Sequence, residues 1–68
     1  MDTKKFVGKP ISVHQLTPGI LEDFAGNQYI QRKDNQYVLD DNGTTKTFEP
    51  IYYNCDNQPS MIQEIEEA

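Results

Sequence analysis

The apolar positions of this chain fall into short runs whose period changes from one run to the next. Phe6-Val7 reads as extended chain, and Ile11 and Val13 then alternate with Ser12 and His14. A repeat of two residues is the signature of a strand buried on one face. Pro10 suits the start or edge of such a strand, where no ladder donor is required.

Residues 17–26 carry a different pattern. Thr17 has the side chain of a helix N-cap, Pro18 fits the first helical position, and Gly26 fits the left-handed residue that ends a helix. In a helix, Ile20, Leu21 and Phe24 share one face and leave Glu22 and Asp23 outward near the positive end of the macrodipole. So short a helix must pack on a sheet to persist.

Two turn signals organise the middle of the chain. Asn42-Gly43 is a strong hairpin dipeptide, because both residues accept the positive φ of a type I′ turn. It sets Asp41 opposite Thr44, Leu39 opposite Lys46, and Tyr37 opposite Phe48. Asp34-Asn35 as a second two-residue turn sets Arg32 opposite Tyr37, Ile30 opposite Leu39, and Tyr29 opposite Asp40. Side chains alternate between faces, so Ile30, Tyr37, Leu39 and Phe48 gather on the core side. Tyr29, Gln31, Lys33, Gln36, Val38, Asp40, Thr45, Thr47 and Glu49 then gather on the outer side.

Pro50 marks an edge or the end of regular pairing, and Ile51-Tyr52-Tyr53 continues as extended chain. After a loop at 56–59, Ser60 and Gln63 have the spacing of a capping box. Met61, Ile62 and Ile65 make an apolar helical stripe, while Glu64, Glu66 and Glu67 oppose the macrodipole and predict a frayed end over 64–68. The expected fold class is therefore α+β, in one domain spanning 1–68. It comprises a frayed lead-in at 1–5, an α+β core over 6–55, and a C-terminal helix or tail at 59–68. The core has an antiparallel sheet of three to four strands in β-α-β-β-β order, with one short helix packed on it.

Composition limits what such a domain can do. A chain of 68 residues buries only about 60% of the surface its unfolded form exposes, so stability is marginal without a staple or a partner. Cys55 is the single cysteine, which leaves no disulfide to serve as that staple. A lone thiol with no signal-like leader predicts a cytoplasmic setting, the host cytoplasm for a phage-encoded chain. No window offers the roughly 20 apolar residues of a membrane helix. Cys55 is expected to be a half-buried side chain near a strand end, and His14 a partly exposed structural one.

The net charge is −5, unevenly spread. Residues 1–33 hold five basic side chains against three acidic ones; residues 34–68 hold eight acidic side chains against Lys46 alone. Direct nucleic-acid binding is disfavoured, since affinity for phosphate depends on lysine and arginine displacing counterions. No catalytic constellation, cofactor motif or metal set emerges. Asp40, Asn42, Gly43 and Glu49 fall at the third, fifth, sixth and twelfth places of a calcium loop, but Val38 occupies the first, where a hard cation needs oxygen. His14 and Cys55 supply at most two of the ligands that zinc requires.

Two functional expectations of different class follow. In the first, the chain is an acidic, non-enzymatic protein-binding module that needs no cofactor. It engages a basic protein surface, in its sharpest form as a DNA-mimic inhibitor of a DNA-binding host protein, encoded by a phage or mobile element. The residues expected to meet the partner are Asp40, Asp41, Tyr29, Asp56, Glu64, Glu66 and Glu67. In the second, the chain is an assembly component that docks by an edge strand or by its C-terminal helix. A homodimer is compatible with both, as a staple for the small core.

Overall fold

The computed structural model describes residues 4–67, with side chains placed for 5–66. Six strands run β1 (Lys4–Thr17), β2 (Ile20–Asp23), β3 (Gln28–Lys33), β4 (Gln36–Asp41), β5 (Thr44–Tyr53) and β6 (Pro59–Glu67). Each pairs antiparallel with the next, and β1 also pairs with β6, so the sheet closes into a barrel. The expected α+β class is thereby corrected: the described residues are all β and contain no helix. Of the lead-in expected to fray, Lys4 and Lys5 belong to β1, and residues 1–3 lie outside the described residues.

Closure depends on the length of β1. Its first part pairs with β6, from Lys4↔Glu67 to Ser12↔Met61, and its last part pairs with β2, from Val13↔Asp23 to Thr17↔Ile20. Between Val7 and Ile11 the register shifts at Gly8-Lys9-Pro10. Gly8 adopts φ 75° and Pro10 has no ladder donor, which makes this a bulge; bulges bend a strand and sharpen its twist. Gln63 Nε2 donates to the Gly8 carbonyl at 2.8 Å, tying the bend to β6.

The helix signal at 17–26 belongs to turns. Pro followed by Gly with positive φ is also the signature of a type II turn, and Gly19 has φ 87° between β1 and β2. The next four residues alternate: Leu21 and Asp23 are buried while Ile20 and Glu22 are only half-buried. Gly26, expected as a helix end, has φ 93° in the β2–β3 turn. A strand at this place also gives the sheet a member without which it could not close.

The C-terminal helix is likewise corrected to strand β6. Ile62 is 0% exposed and faces the core between Ile11 and Pro50, whereas Ile65 faces outward between Phe6 and Thr47 and is covered there. The fraying expected over 64–68 relied on a helix dipole, and an antiparallel ladder has none of consequence. Residues 64–67 are strand, and residue 68 lies outside the described residues. Docking by an edge strand or a terminal helix loses its basis, since the ring of pairing is complete.

One hairpin has the expected register and the other does not. Asp41↔Thr44, Leu39↔Lys46 and Tyr37↔Phe48 pair as the Asn42-Gly43 turn requires, with φ of 54° and 80° at the two turn residues. An alanine at Gly43 meets no atom within 4 Å, so its cost is conformational alone. Gly43→Ala is expected to cost about 1 kcal/mol, a fall of roughly 4–8 °C in Tm for a domain of this size by thermal circular dichroism.

On the other side of β4, Ile30 pairs with Val38, Gln31 with Tyr37, and Lys33 with Gln36, with a shift at Arg32. A slip of one residue exchanges the faces. Tyr29, expected outside, is 2% exposed, and Ile30, expected in the core, is 54% exposed. The core comprises Val13, Leu21, Tyr29, Tyr37, Phe48 and Ile62, with Ile11 and Leu39 packed against it. The Tyr29 and Phe48 rings meet edge to face at 5.0 Å, a favourable aromatic geometry. No helix among the described residues is long and apolar enough to cross a membrane.

Candidate protein-binding end of the barrel

In a closed meander the connections alternate between the two barrel ends. The β1–β2 turn, the β3–β4 turn and the 54–58 loop lie at one end. The β2–β3 and β4–β5 turns lie at the other, with the first residues of β1 and the last of β6. At that second end the six carboxylates of Glu22, Asp23, Asp40, Asp41, Glu64 and Glu66 outnumber the two lysines Lys5 and Lys46, and the strand ends there pair Lys4 with Glu67. The first end balances Lys9, Arg32 and Lys33 against Asp34, Glu49 and Asp56. The excess negative charge of the described chain is thus gathered at one end.

The candidate residues are distributed accordingly. Asp40 and Asp41 are both exposed, but successive strand residues face opposite ways, so Asp40 looks out from the flank of β4. Asp41 lies on the face of β4 shared with Lys46, 3.7 Å from its ammonium. Glu64 is half-buried beside Phe48 and Val7, and Glu66 is exposed opposite Lys5. The Glu67 backbone pairs with Lys4. Because Thr47 pairs with Ile65, the end of β6 runs beside the β4–β5 turn, and two acidic clusters remote in sequence come together. Asp56 does not join them, since it sits in the loop at the far end. Tyr29 is in the core and offers no contact surface.

Phe24, which the helical reading placed against the sheet, is the most exposed large apolar side chain at 82%. It occupies the β2–β3 turn, which a single carboxylate holds. Asp23 Oδ1 accepts from the backbone N–H groups of Ala25 and Asn27, both at 2.9 Å. Its Oδ2 accepts from Asn27 Nδ2 at 3.1 Å and from the Tyr29 hydroxyl at 2.8 Å. Burial pushes the Asp23 carboxyl upward, but these donors outweigh it and hold the group below its ordinary value. Burial, and then the Asp23 carboxylate as acceptor and charge, push the Tyr29 phenol well above the ordinary tyrosine range.

His14 stands beside Phe24 with ring centroids 5.9 Å apart, and its Nε2 lies 3.1 Å from Glu22 Oε1. Three side chains missed in the sequence (Asp23, Phe24 and His14) therefore build an exposed aromatic feature of this end on a hydrogen-bonded turn. One signal was available: an aspartate followed closely by glycine and asparagine can cap its own turn through its side chain.

Among the described residues no pocket opens, and no group of three or more His, Cys, Asp or Glu side chains is placed to hold a metal. Cys55, expected half-buried, is exposed in the far loop, where Asn54 Oδ1 accepts from the backbone of Asp56 and Gln58. No protein-family model, characterised protein or solved structure matches this chain.

Proposed function

We propose that this chain is a small, non-enzymatic binding module that works in the cytoplasm and engages a positively charged surface of a partner protein. The acidic barrel end is the contact face and Phe24 its apolar anchor. The carrying observation is the Asp23-bound turn, which commits a buried carboxylate and a core tyrosine to presenting an 82% exposed phenylalanine. An aromatic held rigid before binding loses little entropy on docking, and such residues dominate interface energies. The surrounding carboxylates would steer a basic partner into place.

The alternation of Lys46, Glu66 and Lys5 breaks the row of carboxylates. That break favours a protein surface over the unbroken negative series a strict DNA mimic would present. Immobilised wild-type chain is expected to capture a basic protein from lysate. Phe24→Ala should weaken that complex by about ten- to thirtyfold, in line with roughly 1.5–2 kcal/mol for a central aromatic. Raising the salt from about 0.05 to 0.5 M should weaken it further. Binding indifferent to both changes would refute the assignment.

A further inference from the structure

The flank of the barrel carries a second pattern, on the outer face of β2, β3 and β4. Ile20 pairs with Ile30 and Ile30 with Val38, which makes an apolar row across three strands with Ile30 54% exposed at its middle. Gln36, Val38 and Asp40 alternate on this same face of β4. Lys33, paired with Gln36, lies one step to one side of the row, and Asp40 lies one step to the other. Each step is about 7 Å along the strand. Lys33 and Asp40 are both exposed.

From this arrangement we infer that the outer face of β2–β3–β4 is a dimer interface for a second copy of this chain. A two-fold axis running along the Ile20–Ile30–Val38 row, parallel to the sheet and in the plane of contact, lays the apolar row of one copy on that of the other. The same operation exchanges the two flanking steps, so Lys33 of each copy meets Asp40 of its mate. Isologous contacts require such self-complementarity. A uniformly basic partner would be opposed by Lys33 and Arg32, and a uniformly acidic one by Asp40; a second copy satisfies both signs. Arg32 adds to the positive step, with Nη2 held 3.3 Å from Gln36 Oε1, while Asp34 lies beyond it in the turn.

This interface shares Asp40 with the acidic end, but it does not rest on the proposed function, because Phe24, Asp41 and Glu66 lie outside it and Phe24→Ala leaves it intact. Its few apolar residues place it at the small, transient end of interface sizes, so dissociation constants in the range of about 10–100 μM are expected.

Sedimentation equilibrium of the full chain over about 5–500 μM should show a reversible shift from monomer to dimer. Ile30→Asp should keep the chain monomeric throughout. Lys33→Glu should weaken association at least tenfold by setting like charges face to face, and adding Asp40→Lys should restore it to within about threefold. Circular dichroism checks that these exposed substitutions leave the barrel folded. A wild type that stays monomeric at 500 μM overturns the inference. So does a dimer that survives Ile30→Asp, or a charge swap that rescues nothing.

Discussion

Truncating Ile62 to alanine is expected to cost about 3–5 kcal/mol and to leave much of the chain unfolded at room temperature. The side chain is 0% exposed and lies on β6 between Ile11 of β1 and Pro50 of β5, at the strand that closes the ring. Removing a large aliphatic group from such a site loses its transfer energy and leaves a cavity that rigid neighbours fill poorly. A domain of this length has a stability on the order of 3–10 kcal/mol, so the loss is comparable to the whole. Ile65→Ala makes the control. Ile65 is 5% exposed but lies on the outer face, apart from the core cluster, where solvent and the Phe6 side chain can fill the gap. Its cost should be less than half as large. Urea unfolding followed by circular dichroism would read both midpoints, and equal losses would contradict the division between inner and outer faces of β6.

That division was not visible in the sequence, and the reason is physical. Met61, Ile62 and Ile65 have helical spacing, and Ser60 with Gln63 completes a capping box, so local preference favoured a helix. The barrel overrides it by giving both faces of β6 something apolar: Ile62 meets the core and Ile65 sits beside Phe6. Pairing between residues as distant as Lys4 and Glu67 supplies that environment, and no local window contains it. The Thr17-Pro18-Gly19 signal misled for another reason, because Pro-Gly satisfies a helix start and a type II turn equally well.

The Asn42-Gly43 hairpin was legible because its two turn residues alone determine the register. The neighbouring hairpin was not, since one bulged residue at Arg32 exchanges the faces of β3. That single residue moved Tyr29 into the core and Ile30 out of it. It thereby removed one expected contact residue and created the apolar row on the flank. For the candidate site, the acidic composition was readable and its geometry was not. Glu66 reaches the vicinity of Asp41 only through β5–β6 pairing, and Asp56 is carried away by the same meander. Phe24 was hidden by a helical reading that gave an exposed side chain a buried role.

Replacing Asp23 by alanine is expected to destabilise the barrel by about 3 kcal/mol, because four donors lose their acceptor and one of them, the buried Tyr29 hydroxyl, is left without a partner. Tyr29→Phe should cost only about 1 kcal/mol, since the carboxylate keeps Ala25 and Asn27. In Asp23→Ala combined with Tyr29→Phe the orphaned hydroxyl is gone, so the double variant should be more stable than the sum of the single losses implies. The pair also imposes a pH dependence at both extremes. Asp23 has a folded-state value below its ordinary 3.8, so below that value the unfolded chain binds the proton more readily than the folded one. Its stabilisation is complete well above pH 4 and is lost as pH falls through the lowered folded value. Tyr29 has the opposite sign: its folded value lies above the ordinary 10.0, so its contribution is full below pH 10 and is lost as pH rises beyond it. Chemical unfolding from pH 2 to pH 11 should therefore show a plateau with two falling shoulders. Asp23→Asn should flatten the acid shoulder, and Tyr29→Phe should reduce the alkaline one, to which the buried Tyr37 phenol, also pushed upward by burial, contributes the remainder. An acid shoulder unchanged in Asp23→Asn would assign it to other carboxylates and remove Asp23 as the group that holds the Phe24 turn in its ionised form.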